Sequence, residues 1–145
     1  MDRRGLVKGF VAGGIGVAAA QGAKAEPISA TKVVYHLADA EKVGFVLGNL
    51  RNHLADTGGA SSLQLAVVVH GPALHVFRAD SGNRDLREAT LDAVKAGVAF
   101  YACAHTMAAQ KLALGDLLPG FAATPKGGVT MLADLQAQGW AYLKP

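Results

Sequence analysis

Only one cysteine, Cys103, occurs among the 145 residues. An intrachain disulfide is therefore excluded, and so is a four-cysteine zinc or iron–sulfur site within one chain. Aromatic residues make up 6% and charged residues 17%, while half of the chain is apolar. Such a composition is too apolar and too weakly charged for a disordered chain. No apolar run reaches the about 20 residues that a membrane-spanning helix needs. The chain has no G-x-G-x-x-G, no Walker loop and no G-x-S-x-G, so nucleotide-binding and serine-hydrolase readings lack support. No pair of acids stands out for glycosidase chemistry. What is there is enough chain for one compact domain with its own core.

The formal net charge is +3, with 14 basic and 11 acidic residues. Its distribution matters more than its sign. The chain opens with Asp2-Arg3-Arg4-Gly5-Leu6-Val7-Lys8, continues through a small and apolar run from Gly9 to Ala20, and reaches Ala23-Lys24-Ala25 before Glu26-Pro27. This is a charged head, an apolar stretch of roughly a dozen residues and an A-x-A cleavage pattern, the form of an export signal. The paired arginines, apolar pair and lysine resemble a twin-arginine signal. An N-terminal helix of the folded domain is the other reading, and six glycines within residues 1–25 oppose it, each costing about 1 kcal/mol in a helix. Cleavage after Ala25 removes four basic residues and one acidic one, leaving ten of each in residues 26–145. A neutral mature domain without a Lys/Arg cluster has no electrostatic hold on phosphate backbones, which excludes nucleic acid as a partner. The expected location is periplasmic, with the twin-arginine export machinery as partner of the precursor and no stable membrane insertion after cleavage.

Five segments read as strands: Lys32–Leu37, Leu63–Val69, Val98–Ala102, Phe121–Ala123 and Trp140–Leu143. Continuous apolar runs such as Leu65-Ala66-Val67-Val68-Val69 suggest strands covered on both faces. Four helices are expected between them. The first carries Val43, Val46, Leu47, Leu50 and Leu54 at helical spacing, with Asp39 as its N-cap. The second has Asp85 and Glu88 early, Lys95 late and Gly97 after it, with Leu86, Ala89, Ala93 and Ala96 as its inner face. The third spans about 106–114. The fourth spans about 128–138, with Gly127-Gly128 as a flexible entry. Alternation of strand and helix predicts a single α/β domain over residues 26–145, its five-stranded, mainly parallel sheet flanked by helices on both faces.

Ligands of open α/β sheets bind beyond the carboxyl ends of the strands. His36 and Asp39 follow the first strand, His70-Gly71-Pro72 the second, and Cys103-Ala104-His105-Thr106 the third. Gly71 permits a sharp turn and Pro72 suits the start of a short helix. Cys103 stands at a helix entrance, where free amides and the helix dipole favour a thiolate able to attack or carry sulfur. The alternative is a buried, inert cysteine. His70 and His105 are candidates for acid–base help, anion contact or metal ligation, or else loop residues. Cys103, His105 and His70 have the chemistry of a zinc or copper site, but their spacing matches no recognised metal motif. His53 and His75 read as surface or packing residues, and Phe100 and Tyr101 as core or rim packing.

Taken together, Lys32–His36, Val67–Pro72, Phe100–Thr106, Asp116–Gly120 and Gln138–Pro145 resemble the DsrE/DsrF-like family of small sulfur-trafficking proteins, in particular its single-domain branch. The resemblance covers residues 31–145. It implies a five-stranded, mainly parallel sheet, frequent homo- or hetero-oligomers, and Cys103 at the position where carrier members hold a persulfide. Two departures stand out: the well-understood relays are cytoplasmic hetero-oligomers, and branch members often have Asn in place of His105. The resulting expectation is an exported sulfur carrier. Cys103 would take sulfane sulfur from a donor protein or small sulfur species and pass it to an acceptor, and His70 and His105 would tune it. No cofactor or metal is expected, a homo-oligomer is, and independent turnover is not required. A small-anion or metal-binding module and an oligomeric accessory protein with an inert Cys103 are the alternatives.

Overall fold

The computed structural model describes residues 30–145. The expected leader, residues 1–25, lies outside them. β1 (Thr31–Leu37), β2 (Leu63–Val69), β3 (Ala99–Cys103), β4 (Phe121–Thr124) and β5 (Ala141–Leu143) form one sheet in the order β4-β3-β2-β1-β5. Every neighbouring pair is parallel. The helices are α1 (Val43–Thr57), α2 (Pro72–Val76), α3 (Arg84–Lys95), α4 (Ala104–Ala109) and α5 (Gly128–Ala137).

Strand order decides which face each helix covers. From β1 through β4 the chain steps in one direction, so right-handed crossovers put α1, α3 and α4 on one side. The return from β4 to β5 runs the other way and puts α5 alone on the opposite side. The two cores reflect this asymmetry. The larger holds Val33, Tyr35, Leu37, Val67, Val69 and Phe100 against Val43, Val46, Leu50, Leu74, Phe77 and Met107. The smaller holds Val34, Ala66 and Val68 against Leu132 and Leu135 of α5. Phe77, Phe100 and Phe121 pack as a tilted trio with centroids 5.2–6.0 Å apart. Phe100 is thus a core residue, whereas Tyr101, on the α5 face, lines a cavity of about 260 Å³ with Thr124, Lys126 and Met131.

The expected elements recur, with local corrections. A 3-10 turn, Ala40–Lys42, precedes α1, and Asp39 stands before that turn without a side-chain cap bond. Asn83 caps α3 instead, accepting from the Leu86 N–H. The inner face of α3 is rotated from the expected one. Leu86, Thr90, Ala93 and Val94 meet the core, while Ala89 and Ala96 are exposed along a groove beside α1. Thr90 can be fully buried because its hydroxyl donates to the Leu86 carbonyl at 2.7 Å. α4 starts at Ala104 and is shorter than the 106–114 helix expected, because Lys111 adopts φ 55° and the chain turns to bury Leu112. Pro72 opens α2, a short helix of five residues. Among the described residues no helix is long and apolar enough to cross a membrane.

Candidate functional site

β3 ends at Cys103, which is also the residue before the first turn of α4. Its side chain is 7% exposed. The backbone N–H groups of Thr106, Gly128 and His105 and the Thr106 hydroxyl lie close enough to its sulfur to favour the thiolate. Burial is the largest single influence and pushes the thiol up, but the donors together outweigh it and hold Cys103 below the ordinary cysteine value. Two helices supply these donors. His105 and Thr106 belong to the open first turn of α4, and Gly128 begins α5 on the other face of the sheet.

Thr106 is fixed from behind. The Gly71 N–H donates to its Oγ1 at 3.0 Å, so the hydroxyl proton is free to point at the sulfur. Gly71 has φ 57° and ψ −148°, a conformation only glycine adopts readily, and its carbonyl accepts from Gln110 Nε2 at 2.9 Å. The loop after β2 is thereby tied to both ends of α4.

Gly127 and Gly128 permit close approach. A Cβ on Gly127 would overlap the His105 ring. One on Gly128 would stand 3.3 Å from Val68 Cγ1 and 3.4 Å from the Cβ atoms of both Cys103 and His70. Expected as a flexible entry, the pair instead lets α5 reach the sulfur. Thr124 is the register partner of Cys103 on β4, is 4% exposed, and has no hydrogen-bond partner for its hydroxyl among the described residues. A buried hydroxyl without a partner beside a sulfur is a free donor for a group bound there.

The two histidines of the expected site are placed differently. His70 follows Val69, the partner of Ala102, so it and Cys103 stand side by side at the strand ends. Its ring turns toward β1, with Nε2 at 2.5 Å from His36 Nε2. His105 presents its backbone N–H to the sulfur while its exposed ring lies over Gly127. His36 belongs to β1 rather than following it, and its Nδ1 is 2.6 Å from the Tyr142 hydroxyl of β5. Burial first, and then His70 and Lys144 as positive neighbours, lower the His36 pKa against Asp39; burial and Lys144 lower that of His70. His53 packs with Tyr35, whose hydroxyl is 3.0 Å from its Nδ1, and His75 is exposed. No three His, Cys, Asp or Glu side chains converge as a metal-holding group among the described residues. Sequence reasoning missed Thr106, Thr124, Gly128 and Tyr142 as site residues. Only Thr106 was signalled, by its place three residues after Cys103 at a helix entrance.

A family model described as the DsrE/DsrF-like family matches residues 38–145. The chain belongs to the DsrE/DsrF-like family. This family is associated with sulfur relay. A solved structure of MTH1491 from Methanobacterium thermoautotrophicum, a protein of unknown function, is 31% identical. The likeness covers 79% of this chain and 99% of that one, with a TM-score of 0.70. The ychN protein of E. coli is similar at 17% identity, 79% and 99% coverage and a TM-score of 0.60, a likeness of fold. The comparison with curated proteins returns no match. The parallel five-stranded sheet expected of a DsrE/DsrF-like domain is the one observed.

Proposed function

We infer that this DsrE/DsrF-like protein carries sulfane sulfur as a persulfide on Cys103. The observation that carries this reading is the convergence of four N–H and O–H groups from two helices around the Cys103 sulfur, which together favour its thiolate. A thiol lowered this way forms its nucleophilic thiolate more readily and can attack the outer sulfur of a donor. The same donors stabilise the thiolate again when the sulfur is passed on. Thr124, without a hydrogen-bond partner among the described residues and next in register, offers a hydroxyl to the bound sulfur chain. The partners on this reading are a donor and an acceptor of sulfane sulfur, and the working form is a homo-oligomer. The leader read in residues 1–25 adds delivery to the periplasm by the twin-arginine route. The lone Cys103 suits that oxidising compartment, since no second cysteine can capture it internally.

The test is incubation of the protein with polysulfide or thiosulfate, followed by intact-mass measurement and mapping of the adduct. One or more added sulfur atoms on Cys103, absent from Cys103→Ser, are expected. A Cys103 that takes up no sulfur and resists alkylation in the folded protein overturns the reading.

A further inference from the structure

His36 on β1, His70 just beyond β2 and Tyr142 on β5 serve no core. The His36 and His70 ring centroids are 4.7 Å apart and the ring planes differ by 20°, while the Nε2 atoms are only 2.5 Å apart. Each Nε2 stands on the line between the centroids, or the two distances could not both hold. The rings therefore meet end to end and nearly coplanar, rather than one above the other. That is the geometry of a single N–H···N bond along the lone-pair axis. At the outer end His36 Nδ1 meets the Tyr142 hydroxyl at 2.6 Å, and Tyr142 is 38% exposed. At the inner end His70 Nδ1 has no hydrogen-bond partner among the described residues and is not sealed from solvent. The Cβ of His70 and that of Cys103 abut the same point at Gly128.

We propose that Tyr142, His36 and His70 form a proton relay that delivers a proton to a thiolate leaving from the Cys103 site and takes one back from an incoming thiol. The proposal rests on Cys103 as the sulfur-accepting group. Its substrate class follows: donors and acceptors that are ordinary alkyl thiols, whose thiolates must be protonated near neutral pH.

The protons balance over a cycle. In loading, the Cys103 thiolate attacks the outer sulfur of R–S–SH. The new Cys103–sulfur bond forms, the old S–S bond breaks, and its electron pair leaves on R–S⁻. His70 Nδ1–H protonates R–S⁻. The His36 Nε2 proton moves to His70 Nε2, the Tyr142 proton moves to His36 Nδ1, and solvent restores the Tyr142 hydroxyl. Both rings stay neutral and both have exchanged tautomers. In unloading, an acceptor R′–SH loses its proton to His70 Nδ1 and attacks the outer sulfur. Cys103 leaves as the thiolate its four donors hold. The relay runs backward and its starting tautomers return. No external oxidant or reductant is needed, because one sulfur is oxidised as the other is reduced. His70 is the group that meets substrate; His36 and Tyr142 act through it. Asp39 and Lys144 flank the pair with opposite charges.

The test is the rate of Cys103 with two symmetrical disulfides in the full chain, one alkyl and one aryl. The aryl thiolate leaves unaided, so the alkyl-to-aryl rate ratio within each variant isolates proton delivery from Cys103 nucleophilicity. His36→Gln keeps an N–H for His70 but cannot pass a proton through, and Tyr142→Phe leaves the outer nitrogen to water. The ratio is expected to fall tenfold or more in His36→Gln and by a smaller factor in Tyr142→Phe. In ¹⁵N-labelled parent protein, one proton should couple to both the His36 and His70 Nε2 nuclei. A ratio unchanged in His36→Gln, or two uncoupled rings in the folded parent, overturns the relay while leaving sulfur carriage intact. Failure of the parent with the aryl disulfide overturns sulfur carriage itself, and the relay with it.

Discussion

At Thr106 one hydroxyl sets the state of another residue's sulfur. Its oxygen accepts from the Gly71 N–H, which leaves its proton able to point at Cys103 and favour the thiolate. A hydrogen bond to a charged group contributes about 1.5–3 kcal/mol, and one pKa unit corresponds to about 1.4 kcal/mol. Thr106→Val should therefore raise the midpoint of Cys103 alkylation by about one to two pH units, and Thr106→Ser should restore it. The rate of iodoacetamide labelling against pH measures both. The depressed thiol also links to stability. Its contribution is fully present above the pKa of an unfolded thiol and is lost as pH falls through the folded value, so Cys103→Ser should lack that dependence. Gly128→Ala acts on the same sulfur by packing. A methyl 3.3–3.4 Å from Val68, Cys103 and His70 pushes α5 outward and withdraws its N–H from the thiolate. Thermal melting should fall and the alkylation midpoint should rise together; a fall in melting alone would separate packing from the sulfur's electrostatics.

Between elements, close approaches replace long side chains. Gly120, at φ 100°, enters β4 where an added Cβ would stand 2.7 Å from both methyls of Val94 on α3. Gly120→Ala combines that overlap with a disfavoured φ and should destabilise by about 2–4 kcal/mol in denaturant titration. The His36–Tyr142 bond joins the three-residue β5 to β1, and the His36–His70 bond joins β1 to β2. Both histidines have lowered pKa values, so the unfolded chain binds more protons than the folded one below about pH 6.5. Stability should fall as pH drops through that value and level off below the folded pKa values. The double variant His36→Gln with His70→Gln should flatten the change in melting temperature between pH 8 and pH 5.

The strands were legible because β1 is rich in β-branched and aromatic residues and β2 is a nearly continuous apolar run, and α1 because Val43, Val46, Leu47 and Leu50 keep one stripe. The rotation of α3 was hidden, since a threonine that bonds its own helix backbone is apolar enough to replace Ala89 inside. At the site, Cys103 announced itself by type and by place at a strand end. Gly128 could not, because its role is an approach between elements 25 residues apart in sequence. Nor could Tyr142, which meets His36 only because β5 crosses back beside β1.

For the molecule as a whole, chain direction puts the proposed chemistry and the end of the domain that residues 1–25 precede on opposite edges of the sheet. All five strands run the same way, so every carboxyl end lies on one edge and every amino end on the other. The chain enters at Thr31, whose N–H donates to Ser62 at the amino edge. Cys103 and His70 stand at the carboxyl edge, a strand length of roughly 20 Å away, and Tyr142, beside Val34 in mid-sheet, reaches toward them through His36. The excess positive charge lies in residues 1–25, and residues 26–145 are balanced. On the export reading, residues 1–25 join the domain through Thr31 at the amino edge and are not needed for the thiolate site. The full chain and a form beginning at Glu26 should therefore alkylate at Cys103 with the same rate and the same pH midpoint. In cells, Arg3→Lys with Arg4→Lys should leave folded, reactive protein uncleaved in the cytoplasm, while the parent yields a periplasmic form whose mass begins at Glu26. Fractionation with intact-mass measurement reads both. An unprocessed parent would remove the export reading, and a midpoint that moves with the leader would show that residues 1–25 reach the carboxyl edge.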